Sequence, residues 1–317
     1  MKVLISGRFS EGEKKVFKEH LGGDVIFDDV APAPEALADV RVALMTSWRS
    51  FSPLVPSMPR LEMVQCFFAG ADRFDFGKMP PDVTVATASG ALATAVSEHA
   101  FSLLLSLCRD LDLHRRRLDE GVFEQLDPLN RELFGKSIGI VGYGPIGQRI
   151  GRIAKAFGMR TLALNTSGKS DADATYTLEG LDRMLKESDY VVICIPLNRH
   201  TDGLIGKDML SLMKENAILV NVSRGKVLVE KDLYEHLRDH PSFKAGLDVW
   251  WHYPRDGETW SQDYDFGKLP NIAMTPHNAA LVPGWRERTI VFCCRNMLDH
   301  MNGKKIRNKV RREDYLI

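Results

Sequence analysis

A chain of 317 residues is long enough for two domains, each with a substantial core. Its 42 Lys and Arg balance 42 Asp and Glu, which gives no support to a nucleic-acid or other polyanionic partner; the runs Arg115 to Arg117 and Lys304 to Arg312 read as solvated faces. Hydrophobic residues at 44 % and charged residues at 26 % are ordinary for a globular chain, and no apolar run approaches the ~20 residues of a membrane span. Five scattered cysteines form no C-x-x-C pair, so we expect reduced thiols in a cytoplasmic compartment, no disulfide framework and no metal site.

Met1 to Gly7 is too short for a signal peptide, and Lys2 to Ser6 within it reads as a first strand. Asp24 to Phe27, Arg41 to Met45, Leu61 to Phe68 and Thr84 to Thr87 read as four more, with a helix at Glu11 to Leu21. Strands alternating with helical or loop stretches predict a small parallel α/β domain. Ala95 to Asp119 reads as one long helix, whose leucines fit either core burial or a dimer interface.

Ser137 to Val141 then predicts a buried strand that runs into Gly142, Gly144 and Gly147, spaced G-x-G-x-x-G. Ile146, Ile150, Ile153, Ala154 and Phe157 follow at helical spacing, and Thr161 to Leu164 reads as the next strand. A βαβ unit with glycines at its first turn is the setting a dinucleotide requires: a tight exit from the strand, close approach of backbone to a pyrophosphate, a helix lying close on the strand, and the helix N-terminus aimed at the phosphates. The turn Gly142-Tyr143-Gly144-Pro145-Ile146-Gly147 is therefore the candidate cofactor cradle. The second strand of such a unit commonly ends in an acid that holds the ribose 2′-hydroxyl. Here it ends in Asn165, followed by Thr166, Ser167, Gly168 and Lys169. A carboxylate would repel a 2′-phosphate and these residues would not, which favours NADP over NAD; the alternative is that Asn165 holds the ribose hydroxyl and Lys169 is a solvated loop lysine.

Tyr190 to Ile195 (followed by Pro196, a candidate cofactor contact), Ile218 to Val222, Ala245 to Val249 and Ile272 to Met274 complete a six-stranded doubly wound sheet, with helices at Leu178 to Lys186, Lys207 to Lys214 and Lys231 to Arg238. A final helix, Pro283 to Met301, is expected to return to the first domain. In this fold the carboxyl ends of the strands face the ligand. Three of them carry Ser223-Arg224-Gly225, Asp248 and Thr275-Pro276-His277. Hydride transfer to a ketone needs a proton donor for the developing alkoxide, and His titrates nearest neutral pH. A keto acid also needs a cation, for which Arg offers two parallel donors.

The stretches Leu133 to Gly147, Cys194 to Ile205, Leu212 to Gly225, Ala245 to Trp250 and Thr275 to Ala280, with Phe67 to Asp75 and Ser97 to Arg109 before them, resemble in order the D-isomer-specific 2-hydroxyacid dehydrogenase family. The resemblance implies two doubly wound parallel-sheet α/β domains: a Rossmann nucleotide-binding domain over 98–283, and a smaller flavodoxin-like substrate domain over 1–97 and 284–317, with the active site in the cleft between them. It implies a hydride transfer between NAD(P)H and a small-molecule 2-keto or D-2-hydroxy acid. Arg224 would bind the substrate's carboxylate and carbonyl, and His277 would be the acid/base. Asp248 would contact the nicotinamide amide, and backbone N–H groups near Ala69 and Gly70 would hold the carboxylate. It also implies a homodimer formed through the nucleotide domain. Two rival readings are a dinucleotide-sensing corepressor-like protein with little turnover and a formate dehydrogenase, against which stands the absence of asparagine from Ser89 to Ser97.

One position departs from the family pattern. Tyr253 stands where a Glu usually pairs with the catalytic His. A Glu would raise the imidazole pKa, whereas Tyr is neutral near pH 7. Three readings stay open: His277 works unassisted and best below neutral pH; Glu258 or Asp256 supplies the carboxylate; or the chain does not reduce keto acids. Trp250, Trp251, His252, Tyr253 and Trp260 read as an aromatic wall near the pocket or as a packed interface.

Overall fold

The structure, a computed structural model, describes residues 2–29, 32–126, 130–254 and 257–316. The chain divides into two compact units, Met1–Leu92 with Val282–Ile317, and Ala93–Leu281.

The first unit is built on a five-stranded parallel sheet, β1 (Lys2–Ser6), β2 (Val25–Phe27), β3 (Val40–Met45), β4 (Met63–Cys66) and β5 (Thr84–Ala86), in the order β2-β1-β3-β4-β5. Both faces are covered, so the strands are near-continuous apolar runs and alternate residues feed two cores. Leu4, Ala43, Val64 and Val85 join one cluster, whereas Val3, Ile5, Val42, Leu44 and Met63 join the other. That second face receives α1 (Glu11–Leu21) and the C-terminal helix Trp285–Met301, which explains why the unit is discontinuous in sequence. Asn296 on that helix, 1 % exposed, donates to Gln65 Oε1 (2.7 Å) and accepts from the Arg307 amide (2.7 Å). Two short helices not evident in the sequence, α2 (Pro34–Leu37) and α3 (Trp48–Phe51), complete the other face.

The second unit holds seven parallel strands among the described residues: β6 (Ser137–Val141), β7 (Arg160–Leu164), β8 (Ala174–Tyr176), β9 (Tyr190–Ile193), β10 (Ile218–Asn221), β11 (Lys244–Leu247) and β12 (Ile272–Met274). Their order is β12-β11-β10-β9-β6-β7-β8, which reverses direction between β6 and β9, the switch point where doubly wound folds bind ligands. The sequence predicted six strands; the seventh, β8, is a three-residue edge strand, half-buried throughout and devoid of an apolar run.

The single helix expected over Ala95 to Asp119 is two helices, α4 (Ala93–Cys108) and α5 (Leu111–Asp119). They part at Asp110, whose backbone is left-handed (φ 45°). Its carboxylate oxygens lie 2.5 and 2.6 Å from Lys244 Nζ, which also donates to Leu107 O at 3.1 Å. Lys244 is 8 % exposed and starts β11, so the break is fixed by a buried ion pair between positions distant in sequence. Removing one partner leaves the other charge buried. Asp110→Ala is therefore expected to destabilise the protein by about 3–5 kcal/mol, read as a lower urea midpoint at an unchanged denaturant slope. The division also separates two roles for the leucines: Leu103, Leu104 and Leu107 on α4 are buried in the core, whereas Leu111 and Leu118 on α5 are exposed.

Candidate active site

The three glycines of the turn after β6 stand in different steric surroundings. Gly142 is at φ +99°, and a Cβ there would lie 2.8 Å from Ile195 N and 2.9 Å from the Cys194 carbonyl carbon, on the neighbouring β9 crossing. A Cβ on Gly147 would lie 2.2 Å from Gly142 O, so only glycine lets α6 (Pro145–Ala156) sit this close to the turn. Gly144 is the opposite case: a Cβ there would meet nothing within 4 Å. It faces open space at the helix N-terminus, where Pro145 occupies the first turn and no side chain caps the N–H groups. A cradle with one open glycine and an uncapped helix N-terminus fits a dinucleotide pyrophosphate. The Tyr143 ring is directed inward. It is buried, donates to Asp171 Oδ1 at 2.8 Å, and fills the space a Cβ on Gly151 would need. Burial pushes its phenol well above the usual range, and Asp171 reinforces the shift. Cys194 is held against Gly142 O, and burial pushes its thiol up to about 12, which makes it a spacer rather than a nucleophile.

A groove beside this turn is lined by Tyr143, Gly144, Gln148, Asn165, Thr166, Ser167, Lys169, Ser170 and Asp171. Asn165 shapes it from within. Its Oδ1 accepts from the Ser167 and Gly168 amides (3.0 and 2.8 Å) and the Ser167 hydroxyl, while Nδ2 donates to Lys169 O at 2.9 Å. The amide that the sequence offered to a ribose is thus engaged in folding its own loop, an Asx turn in physical terms. Thr166 and Lys169 remain exposed on the rim, and Pro196 is exposed after β9.

The other three strand ends converge within this unit. At β10, buried Asn221 accepts from the Ser223 amide and hydroxyl (3.0 and 2.8 Å) and donates to Arg224 O (2.9 Å), fixing the backbone that carries Arg224. The next residue, Gly225, runs against the Trp250–Trp251 backbone, where a Cβ would lie 2.3 to 2.7 Å away. The Trp250 amide donates to the Tyr253 hydroxyl at 3.1 Å, and the Trp250 indole donates to Thr275 O at 2.9 Å. The Tyr253 ring lies 5.4 Å from the His277 ring, tilted by 46°. The Arg224 turn and the His277 loop therefore meet on Trp250. Trp250 itself is core, 4 % exposed, with Trp260 edge-on at 4.7 Å; Trp251 stacks on Phe266. Trp250 and Trp251 are thus packing, whereas His252, Tyr253 and Trp260 are exposed.

Asp248 is 1 % exposed and grips the loop of His277. Oδ1 accepts from the Thr275 hydroxyl (2.7 Å) and the Asn278 amide (3.1 Å), and Oδ2 from the Ala279 amide (3.2 Å). Burial alone would raise its pKa; hydrogen bonds from His99, Thr275 and Ala279 outweigh that and hold it below the usual carboxylate range. His277 sits between the gripped residues at φ 57° and is exposed. Asn221 and His99 are the site residues that the sequence reading missed. Asn221 had a signal, an Asn-x-Ser run closing a strand; His99 had only its polarity, on a helix that also carries Ser97, Glu98 and Ser102. Of the alternatives to Tyr253, Asp256 lies outside the described residues, and Glu258 is exposed. In the first unit, Ala69 and Gly70 follow β4 at its carboxyl end, exposed and half-buried respectively.

Residues 101–279 match the model of the D-isomer specific 2-hydroxyacid dehydrogenase, NAD binding domain. The chain is 33 % identical over 327 residues to the glyoxylate reductase of Thermococcus onnurineus, covering 98 % of this chain and 96 % of that protein. Among solved structures, a putative formate dehydrogenase from Pyrobaculum aerophilum superposes with a TM-score of 0.86 at 27 % identity, covering all of both chains. An acyclic imino acid reductase in complex with NADPH and D-Arg superposes at 0.78 with 25 % identity, over 98 % of this chain and 100 % of that one. The open glycine cradle at the β6 switch point and these likenesses agree: the chain belongs to the D-isomer specific 2-hydroxyacid dehydrogenase family, and is an NAD(P)-dependent oxidoreductase built on a Rossmann domain and a second parallel α/β domain.

Proposed function

We propose that the protein reduces a small 2-keto acid, with glyoxylate the first candidate, to the 2-hydroxy acid. The observation that carries this reading is the convergence on Trp250 of the Arg224 turn and the His277 loop, in a family whose relative from Thermococcus onnurineus is a glyoxylate reductase. A bound reduced nicotinamide supplies the hydride. Arg224 binds the carboxylate with parallel N–H donors and polarises the carbonyl. His277 gives a proton to the carbonyl oxygen as the alkoxide develops, and removes it in the reverse direction. Tyr253 contributes a ring against the imidazole, limiting its rotation. The test is oxidation of NADPH or NADH with glyoxylate, hydroxypyruvate and pyruvate, and reduction of NADP+ or NAD+ with formate. Keto-acid reduction supports the proposal; formate oxidation without it would replace the reading, and cofactor binding without turnover would favour a sensor.

NADPH is the proposed cofactor. The loop after β7 lacks a carboxylate at Asn165 and places Lys169 on the groove rim. Lys169→Ala is expected to lower kcat/KM for NADPH by about tenfold and to leave NADH unaffected; equal losses with both cofactors would remove Lys169 from the 2′-phosphate.

We also propose a homodimer through α5 and the segment after it. Leu118 (58 %), Phe123 (78 %) and Leu126 (91 %) expose apolar surface in one short stretch, beyond what scattered surface residues account for. Sedimentation should give twice the chain mass, and the double variant Phe123→Asp, Leu126→Asp should sediment as a monomer.

A further inference from the structure

We infer that His99 is a positioning residue for this reaction, holding the turn that presents His277 through Thr275 and Asp248. The inference rests on the proposed role of His277. His99 lies on α4, one turn before Leu103, which packs on β11 so tightly that a Cβ on Gly246 would lie 3.1 Å from Leu103 Cβ. That placement brings the imidazole over the carboxyl ends of β11 and β12. His99 Nε2 is 2.9 Å from Thr275 Oγ1 and 3.4 Å from Asp248 Oδ1.

The proton order in this cluster follows from its donors. Asp248 is an acceptor, with the Asn278 and Ala279 amides and the Thr275 hydroxyl all donating to it. The single Thr275 proton is committed there, so its oxygen can only accept, and His99 must carry a proton on Nε2. The result is a set of bonds that converge on the carboxylate: His99 Nε2–H donates to the Thr275 hydroxyl, the hydroxyl donates to Asp248, and the Asn278 and Ala279 amides that follow His277 donate to Asp248 from the other side. His277 between them holds a left-handed backbone (φ 57°), a conformation a side-chain-bearing residue keeps only when its surroundings impose it. Removing His99 deprives the hydroxyl of its donor and loosens the carboxylate. The turn is then free to relax, which moves the imidazole of His277 without altering the glycine cradle of β6.

The test uses the full-length chain and three variants, His99→Ala, His99→Gln and His277→Gln, with glyoxylate and NADPH. A Gln side-chain amide can place a donor near the position of Nε2. We expect His99→Ala to lower kcat by about ten- to a hundredfold, with the Kd for NADPH unchanged, and His99→Gln to recover most of the loss. Wild-type kcat in His99→Ala beside an inactive His277→Gln would overturn the positioning role alone. Full activity in His277→Gln would overturn the reading of His277 and this inference with it. Equal losses in the Ala and Gln variants, accompanied by weaker NADPH binding and a lower unfolding midpoint, would make His99 a structural pin and overturn the inference as well.

Discussion

His277→Gln should lower kcat for keto-acid reduction by about 10²–10⁴-fold, the range that a positioned proton donor contributes, while NADPH binding persists. The imidazole is the titratable side chain at the end of β12. Its turn is gripped on one side by Asp248 and on the other by the Trp250 indole on Thr275 O. The left-handed backbone at His277 costs about 1–2 kcal/mol for a residue with a Cβ, and those hydrogen bonds offset it. Gln keeps polarity and some hydrogen bonding but cannot deliver a proton near neutral pH. Single-turnover oxidation of NADPH isolates the step, and titration of protein fluorescence with NADPH checks that the cradle is intact. Unchanged single-turnover rates would assign proton delivery to another group.

Arg224→Met should lower kcat/KM for the keto acid by about 10²–10³-fold, the worth of two charge-assisted hydrogen bonds. Asn221 and Ser223 hold the Arg224 backbone, and Gly225 ties it to Trp250. The cation therefore stands on a rigid strand end. Lys at this position retains the charge but not the planar fork, so Arg224→Lys should recover only part of the loss. The control is the Kd for NADPH, expected to be unchanged. Loss of cofactor binding in Arg224→Met would point instead to a cation that serves the dinucleotide.

What the sequence reveals divides along the line between local and distant causes. The β6 turn is legible because its glycines are spaced along a strand-to-helix turn, where Gly142 and Gly147 leave no room for a Cβ and Gly144 opens on free space. The apolar strands are legible because both sheet faces are covered. The break at Asp110 is not legible, since neither Gly nor Pro marks it and its cause, Lys244, is on another strand. Nor is β8, whose three half-buried residues carry little apolar signal. In the proposed site, Arg224, Asp248 and His277 are legible as candidates by their position at strand ends. The direction of a side chain is not: Asn165 faces its own loop, Tyr143 faces Gly151, and Asp248 faces the His277 turn. Asn165 closes a local turn, whereas the direction of Asp248 depends on what the fold brings alongside. The same holds for His99, whose partners on β11 and the following loop lie across the unit.

The most direct measurement is a crystal structure with NADPH and oxamate, an unreactive analogue of a 2-keto acid. The expected result is the oxamate carboxylate in two hydrogen bonds from Arg224, with an imidazole nitrogen of His277 at about 3 Å from its carbonyl oxygen. Oxamate bound with its carboxylate away from Arg224, or with another side chain donating to the carbonyl, would contradict the roles assigned to both residues.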